Sequence, residues 1–202
     1  TLKFYNSVDL IIAPSKFIKS TLKANNVKTP IEIISNGVDP KDFHKITTKK
    51  FNPQTILFVG RLGYEKNIDK LIKSFKQIDQ KATLLILGEG PENKKLKSLA
   101  NKLKLRNIIF KGFIKNEDLI EYYNKSHIFI TLSKIESEGI VILEAMMCGL
   151  PIICINEGAS KDIVKNNFNG LVVKDNIKDI SNAINLLIKN KLLREKFSSN
   201  SI

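Results

Sequence analysis

The chain has 202 residues, of which 43% are hydrophobic and 26% charged, and this composition excludes a disordered or fibrous protein. Two cysteines, Cys148 and Cys154, are too few for a disulfide scaffold and are expected in the core, and no apolar stretch reaches the about 18 residues of a membrane span. The formal net charge of +13, from 33 basic and 20 acidic residues, favours an anionic partner or reflects the drift of an A+T-rich genome towards lysine.

The first quarter of the chain predicts two short strands and one helix, followed by an irregular stretch. Val8–Ala13 and Ile31–Ile34 are apolar runs of strand length. Between them, Ser15 is a typical N-cap for a helix that continues to about Lys23. Residues 40–53 contain two prolines and a lysine run without periodicity, which is typical of a linker.

A regular alternation of strands and helices follows the linker. Strands are predicted at Thr55–Val59, Ala82–Leu87, Asn107–Phe110, His127–Thr131, Pro151–Cys154 and Leu171–Val173. Helices are predicted at 68–78, 96–103, Asn116–Asn124 and Gly139–Cys148, and from Ser160 and about Ile177 onwards. This alternation predicts an α/β protein with a Rossmann-like, doubly wound parallel sheet. Ligands of such sheets bind beyond the carboxyl ends of the strands, so we expect the chemistry in the loops there.

The loop at residues 60–67 combines glycines with cations. Gly60 and Gly63 permit a tight turn. Arg61 and Lys66 stand near the start of the next helix, where helix dipole and backbone N–H groups also attract anions. The loop therefore predicts a phosphate site, although two solvated surface cations would give the same pattern. It is neither a Walker A loop nor a G-x-G-x-x-G turn.

The helix predicted at Gly139–Cys148 contains a single carboxylate, Glu144. Because the rest of this helix is apolar, we expect it to be buried on all sides. A buried carboxylate is costly without a partner, so Glu144 needs either a ligand with paired hydroxyl groups or a partner within the core. Glu136 in the preceding loop is expected to face the same cleft, and Gly139 to let a ligand approach the helix. Alternatively, Glu136 and Glu138 only complement the helix dipole.

These motifs, in this order, resemble those of glycosyltransferase family 4, retaining enzymes of the GT-B fold. In that family two glutamates separated by seven residues are followed by Ala-Met, a glycine and a proline, as Glu136 and Glu144 are here. Further segments of the chain also resemble family motifs: 34–39, 59–66, 87–91 and 112–113. The resemblance covers essentially the whole chain.

The resemblance implies transfer of a hexose, with retention, from a nucleoside diphosphate sugar, in the first instance a UDP-sugar, to an acceptor hydroxyl in glycolipid or surface polysaccharide synthesis. Arg61 and Lys66 would hold the diphosphate and, with Glu136, form the catalytic set. The implied donor site consists of Gly60, Arg61, Lys66, Gly112, Phe113, Ile114, Glu136, Gly139, Ile140 and Glu144. In it Glu144 binds the ribose, Glu136 a sugar hydroxyl, and residues 112–114 the base. Neither a metal nor another cofactor is expected.

The resemblance also implies a domain division. Residues 1–45 would be the tail of an N-terminal acceptor domain, 46–53 a linker, and 54–202 the nucleotide-sugar-binding domain, the C-terminal half of a GT-B enzyme. The acceptor lipid or saccharide would then bind outside this chain, which we expect to be inactive alone. Glu138 and Asn67 depart from the family's frequent Phe and Gly. His44 and His127 are expected to be structural.

The charge leaves one alternative from another class of protein, a non-catalytic basic module that docks on a membrane surface or an acidic partner. A cytoplasmic location is expected, with peripheral contact at the inner face of an anionic membrane as a variant. Nucleic acid is not an expected partner, because arginine is scarce and tryptophan absent. A polymer synthase or an epimerase of the same fold stays open, whereas a dinucleotide oxidoreductase is disfavoured.

Overall fold

The computed structural model describes residues 2–78 and 81–202, which form a six-stranded sheet flanked by helices and a smaller two-stranded unit. The strands are β1 (Ile11–Ala13), β2 (Ile31–Ile33), β3 (Thr55–Val59), β4 (Thr83–Leu87), β5 (Ile108–Gly112), β6 (Ile128–Thr131), β7 (Ile152–Ile155) and β8 (Gly170–Val173). The helices are α1 (Leu2–Tyr5), α2 (Lys16–Ala24), α3 (Ile68–Phe75), α4 (Asn93–Lys102), α5 (Asn116–Lys125), α6 (Ile140–Met147), α7 (Ser160–Ile163), α8 (Ile177–Lys189) and α9 (Lys191–Ser201).

The larger sheet has the strand order β5-β4-β3-β6-β7-β8, and every pairing in it is parallel. The chain proceeds outwards from β3 to β5 and then returns to the centre to build β6 to β8 on the other side. The predicted doubly wound sheet is therefore confirmed. The reversal of strand order opens a crevice beyond the carboxyl ends of the central strands, where such folds bind ligands.

The central strand β3 is buried on both faces, which explains its continuous apolar run. Ile56 and Phe58 belong to a hydrophobic cluster with residues of α3, α4 and α8. Leu57 and Val59 point the other way, into a cluster with residues of α5 and α6. The two helix layers thus hold the sheet rigidly, and the loops that leave β3 and β4 start from fixed positions.

The N-terminal residues form a separate small unit with the parallel strands β1 and β2. Its core contains Ala13, Val27 and Ile31. Ser15 caps α2 as predicted, because its Oγ accepts a hydrogen bond from the Ile18 N–H at 3.2 Å. The following stretch, 35–54, has neither helix nor strand, yet it lies against the main domain through the buried side chain of Phe43.

The structure differs from the predicted elements mainly near the chain ends. Helix α1 was not predicted, and the helix predicted from about Ile177 is divided into α8 and α9. Asn190 causes the division, since its Oδ1 accepts a hydrogen bond from the Leu193 N–H and caps α9. Both cysteines are buried, as expected. Within residues 2–78 and 81–202, no helix has the length and apolarity to cross a bilayer.

Candidate active site

A cleft of about 360 Å³ lies beyond the carboxyl ends of β3 and β4. Five residues that the sequence predicted for the donor site contribute to its wall: Gly60, Arg61, Phe113, Ile114 and Glu144. The structure therefore brings together residues up to 84 positions apart, counted from Gly60 to Glu144. Glu89 and Asn116 also line the cleft. Sequence reasoning missed these two, because exposed Glu and Asn residues in loops and at helix starts are common.

The cleft floor depends on two glycines in neighbouring loops. Gly88 has a positive φ of +127°, and a Cβ on it would lie 2.0 Å from the carbonyl oxygen of Gly60. The Gly60 N–H donates to the Leu87 carbonyl at 3.0 Å. Glycine is required here because the two loops touch each other through their backbones.

Arg61 is the cation that the cleft contains. Its side chain is exposed, and among residues 2–78 and 81–202 no carboxylate lies within the 4 Å of an ion pair with it. The loop that carries it is held by a hydrogen bond from the Leu62 N–H to the Glu89 carbonyl at 2.8 Å. A guanidinium on a fixed loop can present a forked pair of donors to a phosphate.

Lys66 and Glu136 contact each other beside the cleft rather than lining it. Lys66 Nζ lies 2.9 Å from Glu136 Oε2, and the two side chains are 20% and 12% exposed. Glu136 Oε1 accepts a hydrogen bond from the Gly139 N–H at 3.2 Å. The structure therefore joins the second predicted cation to the predicted sugar-binding carboxylate. Gly112, Gly139 and Ile140 also lie outside the wall of the cleft.

Glu144 is half-buried and has a partner that the sequence did not reveal. The Tyr123 hydroxyl donates to Glu144 Oε2 at 2.6 Å. Burial raises the pKa of Glu144 above its ordinary value, and the hydrogen bond from Tyr123 opposes this change. Burial likewise raises the pKa of Tyr123, with the charge of Glu144 acting in the same direction. Tyr123 lies in the apolar stripe of α5, so its sequence position indicates only a core residue.

One expectation about helix α6 is wrong. The helix is not buried all round, since only Ile142 and Ala145 in it are fully buried. One side of it, with Val141 and Glu144, forms part of the cleft wall and is therefore open. Gly139, which precedes the helix, has φ +82°, and a Cβ on it would lie 2.8 Å from Cδ1 of Ile163. Glycine is needed there for the backbone conformation and for contact with α7.

Asn67 stands at a position where the family that this sequence resembles often has Gly. It adopts the left-handed conformation, with φ +57°. Its Nδ2 donates to Asp175 Oδ1 at 2.9 Å, and Lys70 Nζ lies 2.5 Å from the same oxygen. Burial would raise the pKa of Asp175, but the hydrogen bond and charge of Lys70 outweigh it and the pKa lies below its ordinary value. The carboxylate thus compensates for the missing glycine by fixing the loop after β3.

In the part of the chain that the structure describes, no three His, Cys, Asp or Glu side chains cluster as a metal site requires. His127 instead has a structural contact, in which its Nδ1 accepts a hydrogen bond from the Thr55 N–H at 3.1 Å. Burial, with smaller contributions from Lys50 and Arg194, lowers the pKa of His127 to about 4.

Fold and cleft together define a Rossmann-like domain of the GT-B type, and the comparisons with known proteins agree. The chain belongs to the family described as Glycosyl transferases group 1, whose model matches residues 39–202. A second family model, described as Glycosyltransferase Family 4, matches residues 1–42. The chain is therefore a member of a glycosyltransferase family.

Individual relatives extend this comparison. α-Monoglucosyldiacylglycerol synthase of Streptococcus pneumoniae is 29% identical over 74% of this chain and 38% of its own length. Sucrose-phosphate synthase of Thermosynechococcus elongatus superimposes with a TM-score of 0.91 at 24% identity, over 99% of this chain and 54% of its own. HepE of Anabaena, solved with UDP and glucose, gives a TM-score of 0.87 at 22% identity, over 99% and 59%. The chain spans about half the length of the curated relatives it matches, for example 46% and 53% of two of them.

Proposed function

We propose that this chain contains the donor site of a retaining hexosyltransferase and that a nucleoside diphosphate sugar binds in the cleft between Arg61 and Glu144. One observation carries the proposal: an exposed guanidinium and a half-buried carboxylate line the same cleft at the carboxyl ends of β3 and β4. The guanidinium suits a diphosphate, and the carboxylate suits a pair of sugar hydroxyls. Membership of a glycosyltransferase family supports this assignment.

We propose separate tasks for the two oxygens of Glu144. Oε2 accepts the hydrogen bond from Tyr123, which orients the carboxylate. Oε1 then accepts a ribose hydroxyl of the nucleotide. Phe113, which is 70% exposed, and Ile114 supply an apolar surface for the base. The UDP in the structure of HepE supports uridine as the nucleoside.

Charge stabilisation at the leaving diphosphate is the proposed source of catalysis. Arg61 binds it from the cleft wall, and Lys66, further along the same loop, contributes the N–H donors that Glu136 does not use. Glu136, which the Gly139 N–H orients through its hydrogen bond to Oε1, binds a hydroxyl of the donor sugar, assisted by the backbone N–H of Ile140. We propose that these cations replace a metal ion, so that transfer by the full-length enzyme continues undiminished in excess EDTA.

The proposed acceptor is a lipid or saccharide hydroxyl in glycolipid or surface polysaccharide synthesis. The name of the pneumococcal relative, a glucosyldiacylglycerol synthase, supports a lipid acceptor. The net charge of +13 supports peripheral contact with the anionic inner face of a membrane. Because the chain spans about half the length of its relatives, we propose that acceptor binding requires a further, N-terminal domain. Anomeric analysis of the product by NMR tests retention.

Calorimetric titration of this chain with UDP tests the donor site. We expect saturable binding by the wild type and a loss of about tenfold or more in affinity for Arg61→Ala, because a charge-assisted hydrogen bond contributes roughly 1.5–3 kcal/mol. Arg106→Ala is the matched control. The substitution removes the same charge, but Arg106 is exposed near the opposite end of the sheet, away from the cleft. Absence of heat with UDP, GDP, ADP and CMP would refute the proposal.

The same protein preparation tests the alternative function. A basic docking module would sediment with anionic vesicles, and UDP would neither bind to it nor alter its sedimentation. The high positive charge is the observation that favours this alternative. Arg61→Ala and Arg106→Ala would then weaken vesicle binding equally, since both remove one positive charge from the surface.

A further inference from the structure

Glu138 is a buried carboxylate whose partners come from the distant N-terminal part of the chain. It is 8% exposed. Its Oε1 accepts hydrogen bonds from the Ser35 hydroxyl at 2.8 Å and from the Asn36 N–H at 2.5 Å. Its Oε2 accepts one from Asn36 Nδ2 at 2.5 Å. Burial would raise the pKa of Glu138, but these hydrogen bonds hold it below the ordinary value, so the group is a satisfied anion.

The hydrogen bonds of Glu138 with Ser35 and Asn36 form a junction between two distant parts of the chain, and the neighbouring residue Ser137 strengthens it. The Ser137 carbonyl accepts a hydrogen bond from the Ser15 hydroxyl at 2.5 Å, and Ser15 also caps α2. Ser35 and Asn36 lie in the part of the chain matched by one family model, and Glu138 in the part matched by the other. The junction therefore joins the N-terminal unit to the domain with the cleft.

The other side of the same loop, residues 133–139, contacts the loop with the proposed donor cations. Glu136 pairs with Lys66, and the Lys134 N–H donates to the Glu65 carbonyl at 2.9 Å. The loop is thus held between two surfaces, the N-terminal segment on one side and the donor loop on the other. Only one residue, Ser137, separates the carboxylate that binds the N-terminal segment from the carboxylate that binds Lys66.

We propose that Glu138 is a positioning residue for donor binding: by holding residues 35–36 it fixes loop 133–139 and thereby the Glu136–Lys66 pair. This inference rests on the proposed function. Ser35, Asn36 and Glu138 do not contribute to the cleft wall, so any effect of these residues on nucleotide affinity is transmitted through the loop. By reciprocity, a nucleotide that orders the loop also strengthens the hydrogen bond to the Asn36 N–H.

The test uses UDP titrations of two variants that alter the junction from opposite sides. Glu138→Gln replaces one acceptor oxygen by a donor that faces the donors of Asn36, and Asn36→Ala removes the Nδ2 donor. We expect both to weaken UDP binding by about three- to tenfold. Thr29→Val is the matched control. It removes a buried hydrogen bond of the same N-terminal unit, from Thr29 Oγ1 to the Tyr5 carbonyl at 2.7 Å, and should lower the melting temperature without changing UDP affinity.

Hydrogen exchange gives a second readout that a merely structural role would not change. We expect UDP to slow exchange of the Asn36 amide in the wild type and to slow it less in Glu138→Gln. Failure of the wild type to bind UDP would refute the proposed function and this role with it. Wild-type binding accompanied by normal affinity in both variants, or by unchanged Asn36 exchange, would refute the positioning role alone. If Glu138→Gln does not fold, Asn36→Ala and wild-type exchange decide the question.

Discussion

The hydrogen bond between Tyr123 and Glu144 predicts a destabilisation that depends on pH. Tyr123→Phe removes the hydroxyl but keeps the ring, which packs against Phe43 and Phe129 with centroids 5.8 and 5.9 Å away. Tyr123 is completely buried and Glu144 half-buried, so water does not readily replace the lost donor. The variant therefore leaves a carboxylate in the cleft wall without its oriented partner.

The magnitude follows from the charge of Glu144. Burial raises the pKa of Glu144, which means that the folded state disfavours its charged form. Above its raised pKa the carboxylate is ionised, and loss of a charge-assisted hydrogen bond there costs about 2 kcal/mol. At about pH 4, below the ordinary carboxyl pKa of 4.5 and hence below the raised one, the group is neutral and the cost falls to about 1 kcal/mol. The penalty of the variant thus grows as pH rises through the folded pKa.

Thermal unfolding at the two pH values measures this difference. We expect the melting temperature to drop by about 4–8 °C near pH 7.5 and by about half as much near pH 4. In a Glu144→Gln background, where no charge remains, the drop should be the same at both pH values. Tyr64→Phe, at a tyrosine 80% exposed, is the control for removal of a hydroxyl. An equal loss at both pH values in the presence of Glu144 would refute the reasoning.

Two further predictions concern the backbone of α6 and a buried histidine. Gly139→Ala should lower the free energy of unfolding, measured by urea denaturation, by about 2–4 kcal/mol, because it adds a close contact with Ile163 to the strain of a positive φ. Gly37→Ala, at a glycine with φ +72° and open space around it, should lower it by only about 1–2 kcal/mol. Equal losses in the two variants would show that the Ile163 contact relaxes without cost. The pKa of His127 is lowered from 6.5 to about 4, so its neutral form stabilises the fold fully above pH 6.5 and this stabilisation disappears as the pH falls towards 4. In His127→Asn, the Asn Oδ1 can still accept the hydrogen bond from the Thr55 N–H, but the side chain does not titrate. The free energy of unfolding should therefore fall less steeply between pH 6.5 and 4, by up to about 1.4 kcal/mol per pH unit. An unchanged pH dependence would contradict the assignment to His127.

Most of the fold could be predicted because its signals are local. The bounds of β3 coincide with the predicted Thr55–Val59, since an apolar run buried on both faces starts and ends where burial does. The division between α8 and α9 was missed because apolar residues continue past it, with Leu187 buried before Asn190 and Leu193 half-buried after it. A single capping side chain outweighs that periodicity.

Local sequence patterns predicted the candidate site only where its residues are neighbours along the chain, and the resemblance to a known family supplied the distant Phe113, Ile114 and Glu144. Gly60 and Arg61 occur together in one loop, and their placement beyond a strand follows from the alternation of elements. The partners of the half-buried Glu144 and the buried Glu138 follow from no such signal. Tyr123 is 21 residues from Glu144, and Asn36 is 102 residues from Glu138. Such pairs depend on the packing of whole elements, which periodicity does not describe.

The Glu136–Lys66 pair shows why the predicted chemistry and the observed contacts are compatible. A half-buried carboxylate and ammonium would each lose hydration without a partner, and their contact at 2.9 Å compensates for this loss. A nucleotide-sugar offers both groups a replacement, phosphate oxygens for Lys66 and a hydroxyl for Glu136. Bare UDP offers only the first, and its phosphate binds the N–H donors of Lys66 that Glu136 leaves free. We therefore expect the pair itself to favour the complete donor over the product nucleotide.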